Sequence, residues 1–498
     1  MINPLNYTDA YKLDHRRQYP EKTETVYSNW TPRKSRIAGI DEVVLFGLQY
    51  FIKKYLIQEF NEHFFDRPKD DVVKQYSRRV NNYLGPNSIG TDHIEALHDL
   101  GYLPIEIKAI PEGHSVPTRV PMFTIVNTIP EFFWLTNYFE TLASTVVWMP
   151  CNSATIAKEY RKLFDTYAHI TGADKEFVQF QGHDFSMRGM AGMEAAMMSG
   201  AGHLLSFSGS DTIPAVDFLE TYYNADSDKE LVGASVAATE HSVMCLGTKE
   251  DEFETFKRLI TEVYPSGIVS IVSDTWDLWK VITDYLPRLK DEILARDGKV
   301  VIRPDSGDPA DILCGTSREY RDFDQMPDVI ENAKANGVVE MLYRTFGGEK
   351  NEKDYINLDP HIGVIYGDAI TLERARNIND RLIQRGFTST SWVAGIGSYT
   401  YQYNTRDTFG FAMKATYGEV DGEGRDIFKD PVTDDGTKKS AKGLMFLERH
   451  RGGRYVMQDE ATWADERSGA LATVFKDGSL IVDWTLAEVR ENMATQYK

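Results

Sequence analysis

The sequence predicts an α/β protein with two parts, an irregular (β/α) barrel and a second, strand-rich α+β domain. Two observations favour this fold class. Five apolar runs each end in a polar or glycine-bearing loop, and amphipathic stretches follow them, as strand-loop-helix units of a parallel sheet do. Functional-looking residues also cluster at the C-terminal end of each predicted strand, which favours a barrel over an open sheet.

These elements set the predicted boundaries. The apolar runs end at residues 207–211, 271–274, 302–305, 364–368 and 393–398, and helices are predicted at 275–289 and 372–385. We assign residues 151–414 to the barrel. The second domain combines residues 1–150, with a helix at 46–60, and residues 415–498. Its tail predicts a hairpin that turns at Asp477-Gly478.

Composition narrows the class of protein. The 498 residues carry 55 Lys+Arg against 75 Asp+Glu, a net charge of −20 that opposes binding to nucleic acid or to an anionic membrane. No apolar stretch approaches the ~20 residues needed to span a bilayer. The three scattered cysteines show no metal-ligand spacing and suggest a reducing compartment. The first residues lack the features of a signal peptide, so a cytoplasmic protein is expected.

The segment IRPDSGDP, residues 302–309, is the most informative part of the chain. It places Arg303 and Asp305 directly after a buried apolar run. An arginine at a strand end suits a polyanionic substrate, and carboxylates suit a ribose or a metal ion. This pattern predicts an enzyme. Asp308 is interpreted as loop structure without a functional role.

Two glycine-bearing loops follow the last predicted strands, at Gly367-Asp368 and at residues 395–398. Their backbone N–H groups could bind a phosphate, or the loops could merely turn the chain. The basic residues near 429–442 allow two interpretations as well. They form either an ordinary solvated loop or the local positive charge that a phosphate-handling protein of net charge −20 needs.

Two further motifs leave alternatives open on spacing alone. Residues 183–189, HDFSMRG, join an aromatic ring to an arginine before a small-residue helix, and could equally be a buried packing turn. His241 could be a structural histidine. It could also be a base or nucleophile that is oriented by Asp274 at a strand end.

Together these motifs resemble the nicotinamide phosphoribosyltransferases, which are type II phosphoribosyltransferases of NAD salvage. The resembling stretches occur in family order over nearly the full length. They are TDAYKLDHRRQYP (8–20), VYSNWTPR (26–33), HDFSMRG (183–189), GSDT (209–212), SVAATEHS (235–242), VSDTWD (272–277), IRPDSGDP (302–309), VIYGD (364–368), NTRD (404–407) and FKDP (428–431). The family usually has glycine and tyrosine where this chain has Ser186 and Met187, and a glycine run in its phosphate loop where this chain has GIGSY (395–399).

The resemblance implies a reaction, its cofactors and its partners. Nicotinamide and phosphoribosyl pyrophosphate would give nicotinamide mononucleotide and pyrophosphate. ATP-driven phosphorylation of His241, with Asp274 holding the imidazole, would be the coupling step. Mg²⁺ would bind mainly through the pyrophosphate. The expected assembly is a homodimer with shared active sites. Related nicotinate phosphoribosyltransferases and a catalytically idle relative are the alternatives.

The resemblance also assigns site residues. Arg303 and Asp305 join His241 and Asp274 as the catalytic set. The nicotinamide-binding residues would be Phe185, Asp211, Arg188, Arg303 and, from the partner subunit, Tyr11. The phosphate- and ribose-binding residues would be Gly367, Asp368, Gly397, Ser398, Arg406, Arg33, Lys12, Lys414, Lys429 and Lys438.

Asp211 would decide the substrate, because a carboxylate accepts a hydrogen bond from an amide and repels a carboxylate. Two like charges ~4 Å apart at an effective dielectric of about 20 cost on the order of 4 kcal/mol. This penalty favours nicotinamide over nicotinate.

Overall fold

The structure is a computed structural model that describes residues 2–316, 328–367, 369–429 and 441–497. The chain divides into two compact units. The first, here the sheet unit, comprises Met1–Thr155, Asp217–Asp226 and Asn404–Lys498. The second, here the barrel unit, comprises Ile156–Val216 and Ser227–Tyr403. Residues 151–155, 217–226 and 404–414, which we assigned to the barrel from the sequence, group with the sheet unit.

The strands of the described residues are numbered in chain order. They are β1 (Thr23–Thr31), β2 (Glu42–Val44), β3 (Ile105–Ala109), β4 (Ser115–Pro117), β5 (Phe123–Asn127), β6 (Gly182–Asp184), β7 (Gly209–Ser210), β8 (Ala237–Ala238), β9 (Ser266–Val272), β10 (Asp297–Arg303), β11 (Gly348–Lys350), β12 (Ile356–Leu358), β13 (Ile362–Tyr366), β14 (Val393–Ile396), β15 (Ala412–Val420), β16 (Glu423–Asp426), β17 (Leu444–Arg449), β18 (Tyr455–Ala461), β19 (Ala472–Lys476) and β20 (Ser479–Leu480).

Helices connect them. The longer ones are Phe51–Glu59, which is a π-helix, Lys69–Leu84, Asp92–Leu100, Glu140–Thr171, Met193–His203, Ile213–Tyr223, Val329–Asn336, Val338–Phe346, Leu372–Gln384 and Leu486–Thr495. Shorter helices are His15–Gln18, Leu48–Tyr50, Asn61–Phe65, Leu135–Tyr138, Val178–Gln181, His241–Leu246, Glu252–Arg258, Leu259–Val263, Leu278–Lys280, Val281–Tyr285, Leu286–Arg288, Lys290–Leu294, Pro309–Cys314, Ser398–Tyr401 and Trp463–Ser468. No helix in these described ranges is both long and apolar enough to cross a membrane.

The sheet unit is built on a seven-stranded sheet in the order β16-β15-β1-β5-β3-β19-β20, and its strands pair antiparallel. In β3 the burial alternates along IEIKA, as expected of a strand with one face in a core. The predicted tail hairpin is confirmed. Lys476 pairs with Ser479, and Asp477 and Gly478 both have positive φ, as a type I′ turn requires.

The barrel unit contains a seven-stranded sheet in the order β7-β6-β14-β13-β10-β9-β8, and every pairing is parallel. The first and last strands of this order meet just before β8. Ala234 donates its N–H to Ser208 O at 2.7 Å and accepts from Ser210 N at 2.9 Å. The sheet therefore closes on itself, and the predicted irregular barrel is confirmed.

Two of the seven barrel strands, β6 and β8, were not among the five predicted. Both are very short, and β8 consists of two alanines, so no apolar run identifies either strand. All seven strands are parallel, so their C-terminal ends lie at one edge of the barrel. The predicted site residues between positions 183 and 398 follow these C-terminal strand ends.

Candidate active site

The C-terminal edge of the barrel brings together most of the predicted site residues. They lie at or just after the C-terminal ends of the seven barrel strands. They are Phe185 and Arg188 after β6, Asp211 after β7, His241 after β8, Asp274 after β9, Arg303 and Asp305 at the end of β10, Gly367 after β13, and Gly397 and Ser398 after β14. Asp368 lies outside the described residues.

Asp211 is held by two donors. His183 Nε2 lies 2.9 Å and Ser235 Oγ 2.5 Å from the same carboxylate oxygen, Oδ1. Partial burial would raise the pKa of Asp211, but these hydrogen bonds and the positive charge of Arg303 outweigh it and lower the pKa. Asp211 is therefore an ionised acceptor at neutral pH. Neither His183 nor Ser235 was predicted as a site residue.

A buried carboxylate, Asp184, fixes the loops that carry Phe185 and Asp211. Its Oδ1 accepts from Ser186 N at 2.9 Å, and its Oδ2 accepts from Thr212 Oγ1 at 2.7 Å. Asp184 is fully buried, so these donors replace its water shell. The ends of β6 and β7 are thereby tied to each other, which holds the aromatic ring and the acceptor in one place.

Phe185 lies against β14, the strand that pairs with β6 on the side opposite β7. Its N–H donates to Ile396 O at 2.9 Å, and its ring centroid is 4.6 Å from that of His183. The close approach depends on Gly395, where a Cβ would lie 2.9 Å from Phe185 Cδ2 and 2.6 Å from Tyr366 O. The site thus contains an aromatic face beside an ionised acceptor.

Arg303, Asp305, Asp274 and His241 lie together, as predicted. Asp274 Oδ2 accepts from the backbone N of Asp305 at 2.8 Å, and His241 Nε2 is 3.6 Å from Asp274 Oδ1. Asp274 is nearly buried whereas His241 is half exposed, so the imidazole is open to a reactant. Arg303 donates to Thr239 O at 2.8 Å, and burial lowers the pKa of its guanidinium despite three nearby aspartates.

The glycine-bearing loops border this group. A Cβ at Gly367 would lie 2.8 Å from Asp305 Oδ1, so the glycine allows the carboxylate to approach the backbone. Gly189 is likewise packed on the side chain of Ser398, and a Cβ there would overlap it. A Cβ at Gly397 would meet nothing within 4 Å, so the space beside its Cα is open.

A cavity of about 690 Å³ extends from this edge through the barrel. Phe185, Asp211 and Arg303 line it at the C-terminal edge. Ile268 and Lys299, near the starts of β9 and β10, line it at the opposite end. Its size is within the range of small-molecule sites, and most of its walls are apolar.

The other predicted site residues lie in the sheet unit. They are Tyr11, Lys12, Arg33, Arg406, Lys414 and Lys429. Lys12 is buried and 2.8 Å from Glu140 Oε2, and Lys414 Nζ is 3.7 Å from Glu140 Oε1. Tyr11 is 62% exposed. Lys438 lies outside the described residues, and the phosphate-binding roles of the other residues stay predictions.

Among the described residues no group of three or more His, Cys, Asp or Glu side chains could hold a metal ion by itself. Mg²⁺ is often bound by only one or two carboxylates together with substrate phosphates. Asp305 and Asp274 follow the paired strands β10 and β9, so carboxylates of the kind that serve this arrangement are present at the C-terminal edge.

A parallel barrel with an ionised acceptor, an arginine and glycine loops at its C-terminal edge is typical of α/β-barrel enzymes, whose active sites lie at that edge. Sequence comparison identifies the family. Residues 180–478 match the nicotinate phosphoribosyltransferase (NAPRTase) family, and residues 3–107 match the N-terminal domain of nicotinamide phosphoribosyltransferase.

Individual relatives match over almost the whole chain. A nicotinamide phosphoribosyltransferase of Acinetobacter baylyi is 52% identical, covering 99% of this chain and 98% of the relative. One of Xanthomonas campestris is 33% identical over 98% of this chain and 97% of its own. One of Mycoplasma pneumoniae is 36% identical over 87% and 93%. The chain therefore belongs to the nicotinate phosphoribosyltransferase family, and the predicted phosphoribosyltransferase is confirmed.

Solved structures support the fold alone. Nicotinate-nucleotide pyrophosphorylase from Pyrococcus furiosus matches with a TM-score of 0.57 and 13% identity, covering 99% of this chain and 95% of that one. Human nicotinic acid phosphoribosyltransferase matches with a TM-score of 0.54 and 14% identity, covering 98% and 93%.

Proposed function

We propose that this enzyme transfers the phosphoribosyl group of phosphoribosyl pyrophosphate to nicotinamide, giving nicotinamide mononucleotide and pyrophosphate. The observation that carries this proposal is Asp211, an ionised acceptor held by His183 and Ser235 beside the ring of Phe185. A carboxylate there accepts a hydrogen bond from the amide –NH₂ and repels nicotinate. The names of the relatives that match over nearly the full chain agree with this choice.

The other groups suit the electronic demands of the reaction. The ribosyl carbon loses pyrophosphate and gains the pyridine nitrogen, through a transition state that resembles an oxocarbenium ion. Positive charge appears on the ring, where the face of Phe185 stabilises it, and negative charge grows on the departing pyrophosphate. In this proposal Arg303 and the loops at Gly367 and Gly397, at the C-terminal edge of the barrel unit, stabilise phosphate oxygens.

The substrate assignment is tested by kcat/KM for both bases. The wild type should prefer nicotinamide by roughly a thousandfold, the factor expected from a repulsion of about 4 kcal/mol. Asp211→Asn should narrow that ratio strongly, because an amide does not repel nicotinate. Asp308→Asn is the matched control. Asp308 accepts from Ala310 N and Asp311 N at the start of a helix, and asparagine is an equally good N-cap. A wild type that prefers nicotinate would establish the alternative substrate, and an unchanged ratio in Asp211→Asn would remove Asp211 from this role.

We further propose that ATP phosphorylates His241 as a coupling step. The carboxylate of Asp274 faces Nε2, which leaves Nδ1 as the nucleophile toward the γ-phosphorus of ATP, with ADP as the leaving group. A phosphate there adds negative charge beside the substrate phosphates and a bound cation. Acid-labile label from γ-labelled ATP should appear on the wild type and on the surface control His450→Ala, and not on His241→Ala. Absence of label on all three would contradict the coupling step.

Mg²⁺ is proposed as the cation, held mainly by pyrophosphate oxygens with Asp305 as the protein ligand. When bound it would supply charge neutralisation for the leaving group. Asp305 lies against Gly367, on the loop predicted to contact phosphate. Asp305→Asn should raise the Mg²⁺ concentration needed for half-maximal rate. An unchanged Mg²⁺ requirement would exclude Asp305 as a ligand of the cation.

A cytoplasmic homodimer with shared sites is proposed, in which Tyr11 covers the pyridine ring bound to the partner subunit. The large exposed fraction of Tyr11 supports this, because an aromatic side chain so exposed is available to another subunit. Mixing two inactive variants, Tyr11→Ala and Asp211→Ala, should restore part of the activity, because one of the two mixed sites is then intact. A homodimer of either variant alone should stay inactive. Failure of the mixture to regain activity in exchanged dimers would contradict shared sites.

A further inference from the structure

Ser306 is a polar residue beside the predicted catalytic group to which the proposed reaction assigns no role. Its hydroxyl donates to Asp274 Oδ2 at 2.6 Å, and the backbone N–H of Asp305 donates to the same oxygen at 2.8 Å. Both donors belong to the loop that follows β10, whereas Asp274 follows β9, the strand that pairs with β10. The loop after one strand therefore holds the carboxylate that follows its neighbour.

The other carboxylate oxygen of Asp274 lies toward His241. This oxygen, Oδ1, is buried and makes no hydrogen bond with any residue that the structure describes. His241 Nε2 lies 3.6 Å from it, slightly beyond hydrogen-bond distance, and the imidazole is half exposed. A buried carboxylate oxygen without a donor is unfavourable, so the arrangement favours the tautomer of His241 that carries its proton on Nε2.

The loop that carries Ser306 is itself anchored on the side that follows the serine. Gly307 has a φ of 92°, in the left-handed region that suits glycine, and its carbonyl accepts from Tyr366 Oη at 2.8 Å. Tyr366 is buried on β13. Asp308 accepts from Ala310 N at 3.0 Å and caps the helix that follows. These contacts limit how far the Ser306 hydroxyl can move.

We propose that Ser306 is a positioning residue for His241, which orients the Asp274 carboxylate so that the imidazole carries its proton on Nε2 and its lone pair on Nδ1. Two donors on Oδ2 hold the carboxylate in one orientation, with Oδ1 toward the ring. Without the hydroxyl only the backbone donor remains, so the carboxylate can rotate and the ring can adopt either tautomer. The inference rests on the proposed coupling step. In that step Nδ1 forms a bond to the γ-phosphorus of ATP, the bond from this phosphorus to the bridging oxygen breaks, ADP leaves, and the proton stays on Nε2.

The first measurement is the tautomer of His241 in the full chain without ATP, read from the ¹⁵N chemical shifts of its ring at a pH where the ring is neutral. The wild type should show the proton on Nε2, and Ser306→Ala should show a mixture of both tautomers. Ser306→Thr keeps the hydroxyl and should give the wild-type shifts. Ser306→Val matches threonine in shape without the hydroxyl, and serves as the second variant in case Ser306→Ala does not fold. Asp308→Asn, a change on the same loop that preserves the helix cap, should leave the shifts unchanged.

The second measurement is the initial rate at which γ-labelled ATP labels His241. Ser306→Ala and Ser306→Val should be labelled about tenfold more slowly than the wild type, as expected when a carboxylate loses one hydrogen bond, and Ser306→Thr at nearly the wild-type rate. A wild-type ring with its proton on Nδ1, or the same tautomer in the wild type and both variants without the hydroxyl, would overturn the proposal. Equal labelling rates would overturn it as well. Failure of the coupling step would show differently, as no label on the wild type, and a tautomer that still depends on the Ser306 hydroxyl would then support the positioning role by itself.

Discussion

At the scale of single residues, the selectivity of Asp211 depends on its neighbours as much as on its charge. Both donors, His183 and Ser235, contact Oδ1, while Oδ2 makes no hydrogen bond within the described part of the chain. A carboxylate held on one oxygen presents the other in a fixed direction. A carboxylate without these donors would rotate, and its pKa would rise because burial would then dominate.

His183 is therefore predicted to position Asp211. In His183→Ala the nicotinamide-to-nicotinate ratio of kcat/KM should fall about tenfold, equivalent to about 1.4 kcal/mol, as expected when a carboxylate loses a charge-assisted hydrogen bond. His183→Gln keeps a donor and should recover much of the ratio. The pH at which selectivity is lost should also move upward in His183→Ala, because the pKa of Asp211 rises. Equal ratios and equal pH profiles in the two variants would show that His183 only fills space.

The sequence predicted the charged residues of the site far better than the residues that orient them. Arg303, Asp305 and Asp211 follow strand ends, and family motifs include them. The contact between His183 and Asp211 joins residues 28 positions apart, on different strands. Neither periodicity nor propensity encodes such a contact, because it exists only once β6 and β7 pair. For the same reason the role of Asp184 was not predicted, because its burial depends on the loops that pack around it in the folded protein.

At the scale of elements, the passage from β14 into the loop at Gly397 depends on one glycine and not on the next. A Cβ at Gly395 would lie 2.6 Å from the backbone oxygen of Tyr366 and 2.9 Å from Gly367 Cα. Gly395→Ala should therefore destabilise the barrel unit by about 1–3 kcal/mol, the usual range for overpacking. Gly397→Ala meets no atom within 4 Å and should change stability little. Denaturant midpoints of the two variants check this, and equal midpoints would contradict it.

A second element-scale feature is the start of the helix at Leu48. The buried carboxylate of Glu112 accepts from Gly47 N at 3.0 Å, Gln49 N at 2.5 Å and Tyr223 Oη at 2.7 Å. A carboxylate at a helix N-terminus satisfies unpaired N–H groups and interacts favourably with the helix dipole. Burial nevertheless outweighs these donors and raises the pKa of Glu112 from 4.5 to about 7.

That raised pKa predicts a pH-dependent stability. As pH rises past 4.5, the unfolded chain releases the Glu112 proton first, while the folded chain keeps it until about pH 7. The free energy of unfolding should therefore fall by about 3 kcal/mol between these two pH values and then level off. Glu112→Gln cannot titrate, so the difference between its stability profile and that of the wild type isolates this group. Parallel profiles over pH 4.5–7 would show that the carboxylate is ionised throughout.

At the scale of the whole molecule, the fold class was predictable because long amphipathic and apolar segments dominate it. The strands β9, β10, β13 and β14 all end where the apolar runs end, and the tail forms its hairpin at Asp477-Gly478. The short strands β6 and β8 were not predicted. Two or three residues give no period, and such strands form because their neighbours supply hydrogen-bond partners. The prediction of a closed barrel therefore rested on the position of the loops. It did not identify the residues that close the barrel.

The last prediction concerns the closure of the barrel between β7 and β8. The bridge between Ala234 and the β7 region is held by the N–H of Ala234 on Ser208 O and the N–H of Ser210 on Ala234 O. The amide of the next residue, Ser235, makes no hydrogen bond with the residues that the structure describes. If the barrel is closed in solution, the amides of Ala234 and Ser210 should exchange with deuterium on the order of 100-fold more slowly than that of Ser235. Residue-resolved hydrogen exchange measures this. Equally fast exchange at Ala234 and Ser235, with slow exchange retained along β9 and β10, would mean a sheet that stays open between β7 and β8. Since Asp211 and Ser235 lie on the two sides of this junction, an open sheet would also separate the acceptor from one of its donors.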